Sequence, residues 1–404
     1  MAFLALGSKI NPGWGGRDRP GRSRTHVTRE TAAYDAAYPV AMKRNPSLRF
    51  ATLVIAAVAA GVGSPGHAQE AVVRAFAAEL DSLRQAHGIP GLAVAVVRGG
   101  RVVLARGYGW ADVEARRPVT NHTPFNIASV TKTISGVLAM RLAERGVLDL
   151  DRPMDGFDAW PEFCAQAREG GPRIFFADFS CAPELTLRQV MQMQGNGAPG
   201  ERFFYNPVAY SWASRPIMQV TGRAFSDLVA DEIFATAGMT ESARQHRNLP
   251  LRADLAQALA RPYHVDSAGA FVLSDPPGPQ GDGAAGGVIS TVTDLARFDV
   301  ALDEGRLISG PSKAEMWRPG RSPSGAVLPY GIGWYVQDVD GRRLVWHSGW
   351  WEKQYSALYL KLPDERLTLI LLANSEGLWW ENPLDAAQVE RSPFAAAFLR
   401  RFRK

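Results

Sequence analysis

The chain has 404 residues, of which 46% are hydrophobic, enough to bury a large core or two lobes that share a cleft. Its formal net charge is +5, but residues 1–68 hold nine of the 45 basic residues and only three of the 40 acidic ones. Residues 69–404 therefore carry 36 basic and 37 acidic side chains. This balance, with no basic stripe, argues against a nucleic-acid partner.

The N-terminal segment has the pattern of an export signal. Met42-Lys43-Arg44 begins a positive region, Phe50–Val62 form an apolar run of 13 residues, and Gly66-His67-Ala68 offers small residues for cleavage. An apolar run of that length is too short to span a hydrocarbon core of ~30 Å. We therefore predict a signal peptide over residues 42–68, cleaved near Ala68, and no stable membrane anchor.

Residues 1–41 are rich in Arg, Gly and Pro without periodicity, which predicts a disordered upstream extension. Because a signal peptide normally starts a chain, Met42 is an alternative start to Met1. The mature domain, residues 69–404, is expected in the periplasm or outside the cell. The sequence leaves its oligomeric state open.

The first predicted elements of the mature chain are a helix and a hairpin. Apolar residues at helical spacing predict an amphipathic helix over 70–87. Two strands follow, over 91–97 and 102–108, with Gly99-Gly100 as the turn between them. A second helix is predicted from Ser129 to Arg145, before a glycine.

The middle of the chain is predicted to be helical and its last hundred residues to form strands. Helices are expected over 187–193, 207–240 and 290–304, and from about Ser392; strands are expected over 330–336, 343–346, 355–362 and 367–373. Strands at both ends predict one sheet built from about 69–125 and 330–404. A helical lobe, about 126–329, is inserted between them.

The chain contains two cysteines, Cys164 and Cys181. In an exported protein this pair suggests one disulfide that closes a local loop, and the alternative is two unpaired, buried thiols. Neither cysteine has metal-ligating neighbours and the seven histidines are scattered singly, so no metal site is predicted.

The tetrapeptide Ser129-Val130-Thr131-Lys132 carries the strongest chemical signal. Two residues three apart share one face of a helix, so the lysine amine can reach the serine hydroxyl and take its proton. The chain has only seven lysines and no other Ser-x-x-Lys. Tyr205 and His347-Ser348-Gly349 follow downstream, in the order that a Ser/Lys/Tyr acyl-transfer site needs. Taken alone, Tyr205 fits an aromatic core and His347 a half-buried structural histidine.

Together with the surrounding motifs, these residues resemble the serine β-lactamase and penicillin-binding-protein superfamily. The similarity covers most of residues 69–400 and lies within the branch of class C β-lactamases, D-alanyl-D-alanine carboxypeptidases and related esterases. The matching stretches are His87-Gly88-Ile89-Pro90-Gly91, Phe125 to Lys132, Gly286 to Thr291, Tyr330-Gly331-Ile332-Gly333-Trp334, and His347-Ser348-Gly349. The resemblance implies a mixed α/β fold, with an antiparallel sheet flanked by helices and a site at its junction with the helical lobe.

The resemblance also assigns roles within the site. It implies Ser129 as nucleophile and Lys132 with Tyr205 as general base and acid, with no cofactor. The backbone N–H groups of Ser129 and Trp350 would form an oxyanion hole. The third motif, His347 with Ser348 and Gly349, would contact the substrate.

The second motif departs from the family pattern. A Tyr-x-Asn is expected, but the chain has Tyr205-Asn206-Pro207, so Asn206 lies one position early and Pro207 offers no polar side chain. Asn206 remains a candidate for binding substrate or Lys132. The altered second motif removes a recognition partner for an amide substrate, and an ester needs that partner less. Histidine in place of lysine in the third motif argues against a dedicated β-lactamase, so esters or D-amino-acid peptides are the expected substrates. The alternatives are a β-lactamase and, from another class, an inactive protein that binds peptidoglycan or another protein.

Overall fold

The structure is a computed structural model that describes residues 65–278, 280–382, 384 and 386–402. The predicted upstream extension and almost all of the predicted signal peptide lie outside these residues. The first described helix, α1, is Pro65–Ala86, so the predicted cleavage position at Ala68 lies within its first turn.

Seven antiparallel strands form the main sheet, in the order β3-β2-β1-β12-β11-β10-β9. Their bounds are β1 Gly91–Arg98, β2 Arg101–Asp112, β3 Arg117–Pro118, β9 Tyr335–Val339, β10 Arg342–Trp351, β11 Tyr355–Leu362 and β12 Leu367–Ala373. Strands from the two ends of the domain therefore meet in one sheet, and β1 pairs directly with β12. This topology confirms the predicted antiparallel sheet built from both termini.

The centre of the sheet is covered on both faces. Every residue of β11 and β12 is buried, as are seven of the eight residues of β1, and these strands read as nearly continuous apolar runs. On one face Asp299 accepts hydrogen bonds from Lys361 of β11 and Thr368 of β12, both at 2.9 Å. Asp299 belongs to α10, Val292–Asp303.

On the other face α1 packs against α12, Pro393–Arg401. The ring of Phe76 lies 5.7 Å from that of Phe398 and 5.4 Å from that of Phe402, measured between centroids. Ser392 caps α12 by accepting from the Ala395 N–H. The sheet is therefore enclosed between α10 and the α1–α12 pair.

The inserted lobe is mostly helical, with short strands that the sequence did not predict. Its helices are α2 Thr131–Glu144, α3 Trp160–Glu169, α4 Arg173–Phe176, α5 Leu187–Met191, α6 Pro207–Trp212, α7 Ser214–Thr221, α8 Phe225–Leu228, α9 Ala253–Ala258 and α11 Gly310–Met316. Its strands are β4 Phe125–Asn126, β5 Ala243–Arg244, β6 Tyr263–Val265, β7 Phe271–Leu273 and β8 Val288–Ser290. The three two- or three-residue strands β4, β8 and β5 form a small sheet.

Several predicted elements have different bounds in the structure, and two of the differences are large. The helix expected over 207–240 is divided into α6, α7 and α8, and α8 continues as a π-helix, Val229–Ala235; Gly222 ends α7 in the left-handed region at φ 65°. The strand expected from Tyr330 begins only at Tyr335. A Cβ atom on Gly333 would lie 2.2 Å from the Lys132 carbonyl oxygen, so residues 330–334 serve as a close packing surface for α2.

No helix among the described residues is both long and apolar enough to cross a membrane. In the same part of the chain, no group of three or more His, Cys, Asp or Glu side chains is arranged to hold a metal ion.

Candidate active site

Ser129 and Lys132 lie at the junction of the sheet and the inserted lobe. Ser129 is on a 3₁₀ turn, Ala128–Val130, that leads directly into α2, and Lys132 is in the first turn of that helix. The Lys132 Nζ donates a hydrogen bond to the Ser129 Oγ at 2.8 Å. The predicted Ser-x-x-Lys contact is therefore present. Ser129 is half-buried, whereas Lys132 has no exposed surface.

Burial sets the electrostatics of this pair. It lowers the pKa of Lys132 well below its ordinary value, because a charged ammonium loses its hydration there. Burial is the cause of that shift, and no acidic side chain in the described part of the chain is a further cause of it. A lysine in this state is suited to accept the proton of the serine that it contacts.

The turn that carries Ser129 is held in an unusual backbone conformation. Ala128 has φ 46°, a left-handed value that is uncommon for a residue other than glycine. The Asn126 Oδ1 accepts from the Ala128 N–H at 2.9 Å and from the Trp351 Nε1 at 3.2 Å. Asn126 thus ties the turn to the end of β10. Conformations of this kind persist where neighbouring contacts fix them, often at functional sites.

Tyr205 lies against the same serine. Its phenol interacts with the Ser129 side chain, and the Lys132 Nζ lies 5.2 Å from the centroid of the Tyr205 ring. Burial raises the pKa of Tyr205 above its ordinary value, so the phenol is neutral and carries a proton. The structure therefore brings Ser129, Lys132 and Tyr205 together, as the order of their motifs suggested.

Asn206 does not join this group, although it follows Tyr205 directly. Its Oδ1 accepts from the Ala209 N–H at 3.0 Å, which caps α6, and its Nδ2 donates to the Phe175 carbonyl at 2.9 Å and to the Asn196 Oδ1 at 3.1 Å. All hydrogen-bonding groups of this buried amide are thus engaged away from Lys132. The expectation that Asn206 contacts substrate or lysine is not supported.

A local signal accounts for this outcome. Asparagine at the N-cap followed by proline at the first helical position is a strong start signal for a helix. Asn206-Pro207 has this pattern, and α6 begins at Pro207. In this chain the motif begins a helix, whereas in the family pattern it supplies a polar partner for the lysine.

A backbone carbonyl replaces that partner. The Lys132 Nζ donates its second hydrogen bond to the Ala285 oxygen at 3.0 Å. Tyr210, whose ring centroid lies 5.6 Å from the Nζ, donates its hydroxyl to the Lys132 carbonyl at 3.1 Å. The sequence predicts neither contact. A backbone acceptor leaves no side-chain signal, and the only indication was that Ala285 precedes the Gly286-Gly287 match.

His347 lies deep in the site as a neutral side chain. Burial lowers its pKa well below the ordinary value, because the charged imidazolium loses its hydration there. Its Nδ1 donates to the Ser348 carbonyl at 2.6 Å, so in the neutral ring the Nε2 accepts from the Tyr330 hydroxyl at 2.9 Å. Both ring nitrogens are therefore engaged, and His347 contributes no positive charge to the site.

The third motif lies on β10 beyond the end of its pairing with β9. That pairing stops at Trp346, so His347–Trp351 are paired only with β11. A Cβ atom on Gly349 would lie 2.3 Å from the Ile127 carbonyl oxygen, which explains why the turn bearing Ser129 can approach only a glycine here. Ser348 is buried next to it. The Trp350 indole stacks on Trp379 at 5.2 Å.

The two cysteines delimit residues 164–181, called the insertion below, which contact the segment that carries Tyr205. Cys164 and Cys181 are joined as a disulfide around α4. Within that loop the Phe175 carbonyl accepts from both Asn196, at 2.9 Å, and Asn206. Phe163 packs on Trp212 of α6 with centroids 4.5 Å apart. The disulfide-closed insertion thus supports the segment on either side of Tyr205.

The structure brings a serine, a buried lysine and a tyrosine together at one place in the fold, and comparisons with known proteins give the family of the chain. Residues 73–391 match the family model described as Beta-lactamase. The chain is 30% identical over 327 residues to penicillin-binding protein 4* of Bacillus subtilis (strain 168), covering 73% of this chain and 70% of that one. The protein belongs to the β-lactamase family and is a serine hydrolase.

Two further comparisons extend this result. A D-aminopeptidase of Brucella canis is 28% identical over 327 residues, which cover 74% of this chain but only 58% of the relative. The solved octameric penicillin-binding protein homologue from Pyrococcus abyssi superimposes with a TM-score of 0.64 at 22% identity, covering 81% of this chain and 77% of that chain. These findings confirm the resemblance and the mixed α/β fold.

Proposed function

We propose that the protein is an exported hydrolase that cleaves esters or D-amino-acid peptides through an acyl-enzyme on Ser129. The observation that carries the proposal is the 2.8 Å contact between the Ser129 Oγ and a fully buried Lys132. Retention of Tyr205 on the same hydroxyl adds a second proton-transfer group. These contacts argue against an inactive binding protein, which would have no need to keep all three.

The reaction follows from these positions. Neutral Lys132 takes the hydroxyl proton as the Ser129 Oγ attacks the substrate carbonyl carbon. The resulting oxyanion is stabilised by the backbone N–H groups of Ser129 and Trp350. Tyr205 gives its proton to the leaving alcohol or amine as the carbonyl–heteroatom bond breaks, and regains a proton from Lys132. Water then attacks the acyl-enzyme with the roles reversed, releasing the acid and free Ser129.

The neutral state of His347 bears on the choice of substrate. A β-lactam or a carboxypeptidase substrate brings a carboxylate, which is bound best by a positive charge or several donors. His347 supplies no charge, since burial lowers its pKa and both ring nitrogens are engaged. We therefore place esters and peptides or amides of D-amino acids, as named for the D-aminopeptidase relative, ahead of β-lactams.

The absence of a side-chain amide beside Lys132 favours esters within this pair of substrates. An amide substrate offers an N–H that needs an acceptor in the site, and Asn206 is engaged elsewhere. An ester has no such N–H, so the lack of an acceptor weakens the binding of an ester less than that of an amide.

A substrate panel tests the proposal. Residues 69–404 would be assayed with p-nitrophenyl acetate, D-alanine p-nitroanilide and its L-enantiomer, and an intact-mass time course with benzylpenicillin. We expect hydrolysis of the ester or of the D-anilide and no lasting penicillin adduct. Rapid turnover of penicillin would instead make the protein a β-lactamase, and inertness toward every substrate and toward a fluorophosphonate would make it a binding protein.

Export is proposed from the pattern of residues 42–68 and is consistent with the Cys164–Cys181 disulfide. Expression of the full chain in a Gram-negative host, followed by fractionation and N-terminal sequencing, tests it. We expect periplasmic protein that begins near Gln69. A cytoplasmic protein with an intact N-terminus would contradict the proposal.

A further inference from the structure

The loop Asp282–Gly287 is held by side chains that donate to four successive carbonyl groups. The donor and acceptor pairs are Arg244 with Gly283 (2.9 Å) and with Gly286, Ser135 with Ala284 (2.7 Å), and Lys132 with Ala285 (3.0 Å). The Ala285 carbonyl, which contacts the lysine of the site, thus lies between two carbonyls that are bound by protein side chains. Arg244 binds the residues at both ends of this run.

Arg244 is a buried charge with a defined environment. It lies on β5 with 3% of its surface exposed, and its guanidinium is 5.4 Å from the centroid of the Phe225 ring. Burial lowers the pKa of Arg244, while Asp282, 3.2 Å away, opposes that shift. Asp282 also accepts from the Ser226 N–H at 2.9 Å, so the first residue of the loop is fixed to α8.

This loop has little rigidity of its own. It contains three glycines, and Gly287 has φ 90°, a value that side-chain-bearing residues rarely adopt. The planar fork of a guanidinium reaches two acceptors in a fixed geometry, which a lysine ammonium cannot reproduce. Arg244 therefore fixes both ends of the carbonyl run in this glycine-rich loop. The middle of the run is held by Ser135 and by the Ser211 carbonyl, which accepts from the Ala284 N–H at 3.0 Å.

We propose that Arg244 is a positioning residue for the reaction: by binding the Gly283 and Gly286 carbonyls it places the Ala285 carbonyl on Lys132 and keeps water from the lysine. The inference rests on the proposed role of Lys132 as the base that activates Ser129. In the family pattern a side-chain amide contacts the lysine; here a backbone carbonyl positioned by a buried arginine has that role.

The surroundings of Lys132 give the expected effect of losing Arg244. The polar and titratable groups that face the lysine are Ser129, Tyr205, Tyr210, His347 and the Ala285 carbonyl. None of these groups is a carboxylic acid, and burial away from water is the cause that lowers the pKa of Lys132. If the loop relaxes and admits water, that pKa rises and the neutral, reactive form needs a higher pH.

The test compares Arg244→Met, Arg244→Lys and a matched control, Arg117→Met. The Arg117 guanidinium also binds two nearby carbonyls, those of Ala258 at 2.8 Å and Leu259 at 2.7 Å, but neither contacts Lys132. For each variant the second-order rate of Ser129 labelling by a fluorophosphonate would be measured across pH, together with the melting temperature.

We expect Arg244→Met to slow labelling about 10²-fold, the loss typical of a misplaced reacting group, and to move the acid limb of the profile to higher pH. The labelling rate and pH profile of Arg244→Lys should lie between those of wild type and Arg244→Met. Arg117→Met should lose stability while keeping the wild-type rate and profile. A folded Arg244→Met with the wild-type rate and profile would overturn the inference. If Arg244→Met does not fold, a wild-type labelling rate and pH profile for Arg244→Lys would overturn the inference instead. Absence of labelling in the wild type would instead reject the proposed function and the inference with it.

Discussion

The two halves of the site are held in different ways. Ser129 and Lys132 lie three residues apart on one continuous turn and helix, and that helix packs into the core between the sheet and α11. Tyr205 lies on a segment without regular structure between α5 and α6. Its position depends on Asn206, on the Phe175 carbonyl and on the disulfide-closed insertion.

This difference distinguishes residues that react from residues that hold a reacting residue in position. A change at Ser129 removes a reacting group and leaves the packing around it intact. A change in the supports of Tyr205 acts on the reaction only through displacement of the phenol, and it also costs stability. The following variants should therefore form a series in which the loss of rate falls while the loss of stability grows.

The largest expected effect is that of Ser129→Ala. Without the nucleophile, kcat should fall by roughly 10³-fold or more, as in other hydrolases that lose this group. The melting temperature should stay at the wild-type value because Ser129 is half-buried and its partner Lys132 keeps its bond to Ala285. Steady-state kinetics on the best ester or anilide, with the exposed Ser82→Ala as control, provide the measurement. Turnover near the wild-type rate would reject the nucleophile.

Tyr205→Phe should come next, with kcat lower by about 10²- to 10³-fold, since it removes one general acid–base group. The buried Tyr355 offers a matched control, because its hydroxyl donates to the Ala260 carbonyl at 2.7 Å outside the site. Tyr355→Phe should lower the free energy of unfolding by about 1 kcal/mol and leave kcat unchanged. Equal kcat values for the two variants would contradict the role of Tyr205.

Asn206→Ala should lower kcat by about tenfold. A reacting group displaced by 1 Å loses about 10²-fold in rate, and we expect the adjacent Tyr205 to move by less than that. Loss of the helix cap should also lower the free energy of unfolding by about 1 kcal/mol. Ser392→Ala removes a cap from α12 on the far face of the sheet and should lower stability alone. Should Asn206→Ala keep full activity, the insertion would not position Tyr205.

Removal of the disulfide should affect stability most and rate least. Cys164→Ser with Cys181→Ser opens a loop with a sequence separation of 17 residues, which lowers the free energy of unfolding by roughly 3 kcal/mol in the chain-entropy model. The hydrogen bonds to Phe175 remain, so kcat below the melting transition should fall by less than about tenfold. Thermal unfolding of oxidised wild type, reduced wild type and the double variant checks this. Unchanged stability would show that the insertion folds without its covalent closure.

Sequence reasoning succeeded where the signal is local. The Ser-x-x-Lys contact, the Gly99-Gly100 hairpin and the start of the last helix near Ser392 each depend on residues a few positions apart, and each appears in the structure. The apolar runs of β11 and β12 likewise predicted buried strands.

It failed where backbone groups or distant contacts decide. The Ala285 carbonyl has no side-chain signature, and the buried Arg244 behind it is one of many arginines in the sequence. Asn206 matches the family pattern as a displaced site residue, but Asn-Pro is also a helix-start signal, and the structure follows that signal. Strand β4 pairs with β8 across more than a hundred residues, and β5 pairs with β8 across more than forty, so no local pattern marks these short strands.

The pH dependence of Ser129 labelling tests the central claim, that a neutral, buried Lys132 activates this serine. Residues 69–404 would be treated with a fluorophosphonate over a range of pH, and the adduct quantified by intact mass and located by peptide mapping. Because burial lowers the pKa of Lys132, labelling should rise with pH through a midpoint well below that of an ordinary lysine and then level off. A Ser129 adduct with that profile, absent in Ser129→Ala, is the predicted result. Labelling that rises only near the pKa of free lysine, or an adduct on another residue, would contradict the account.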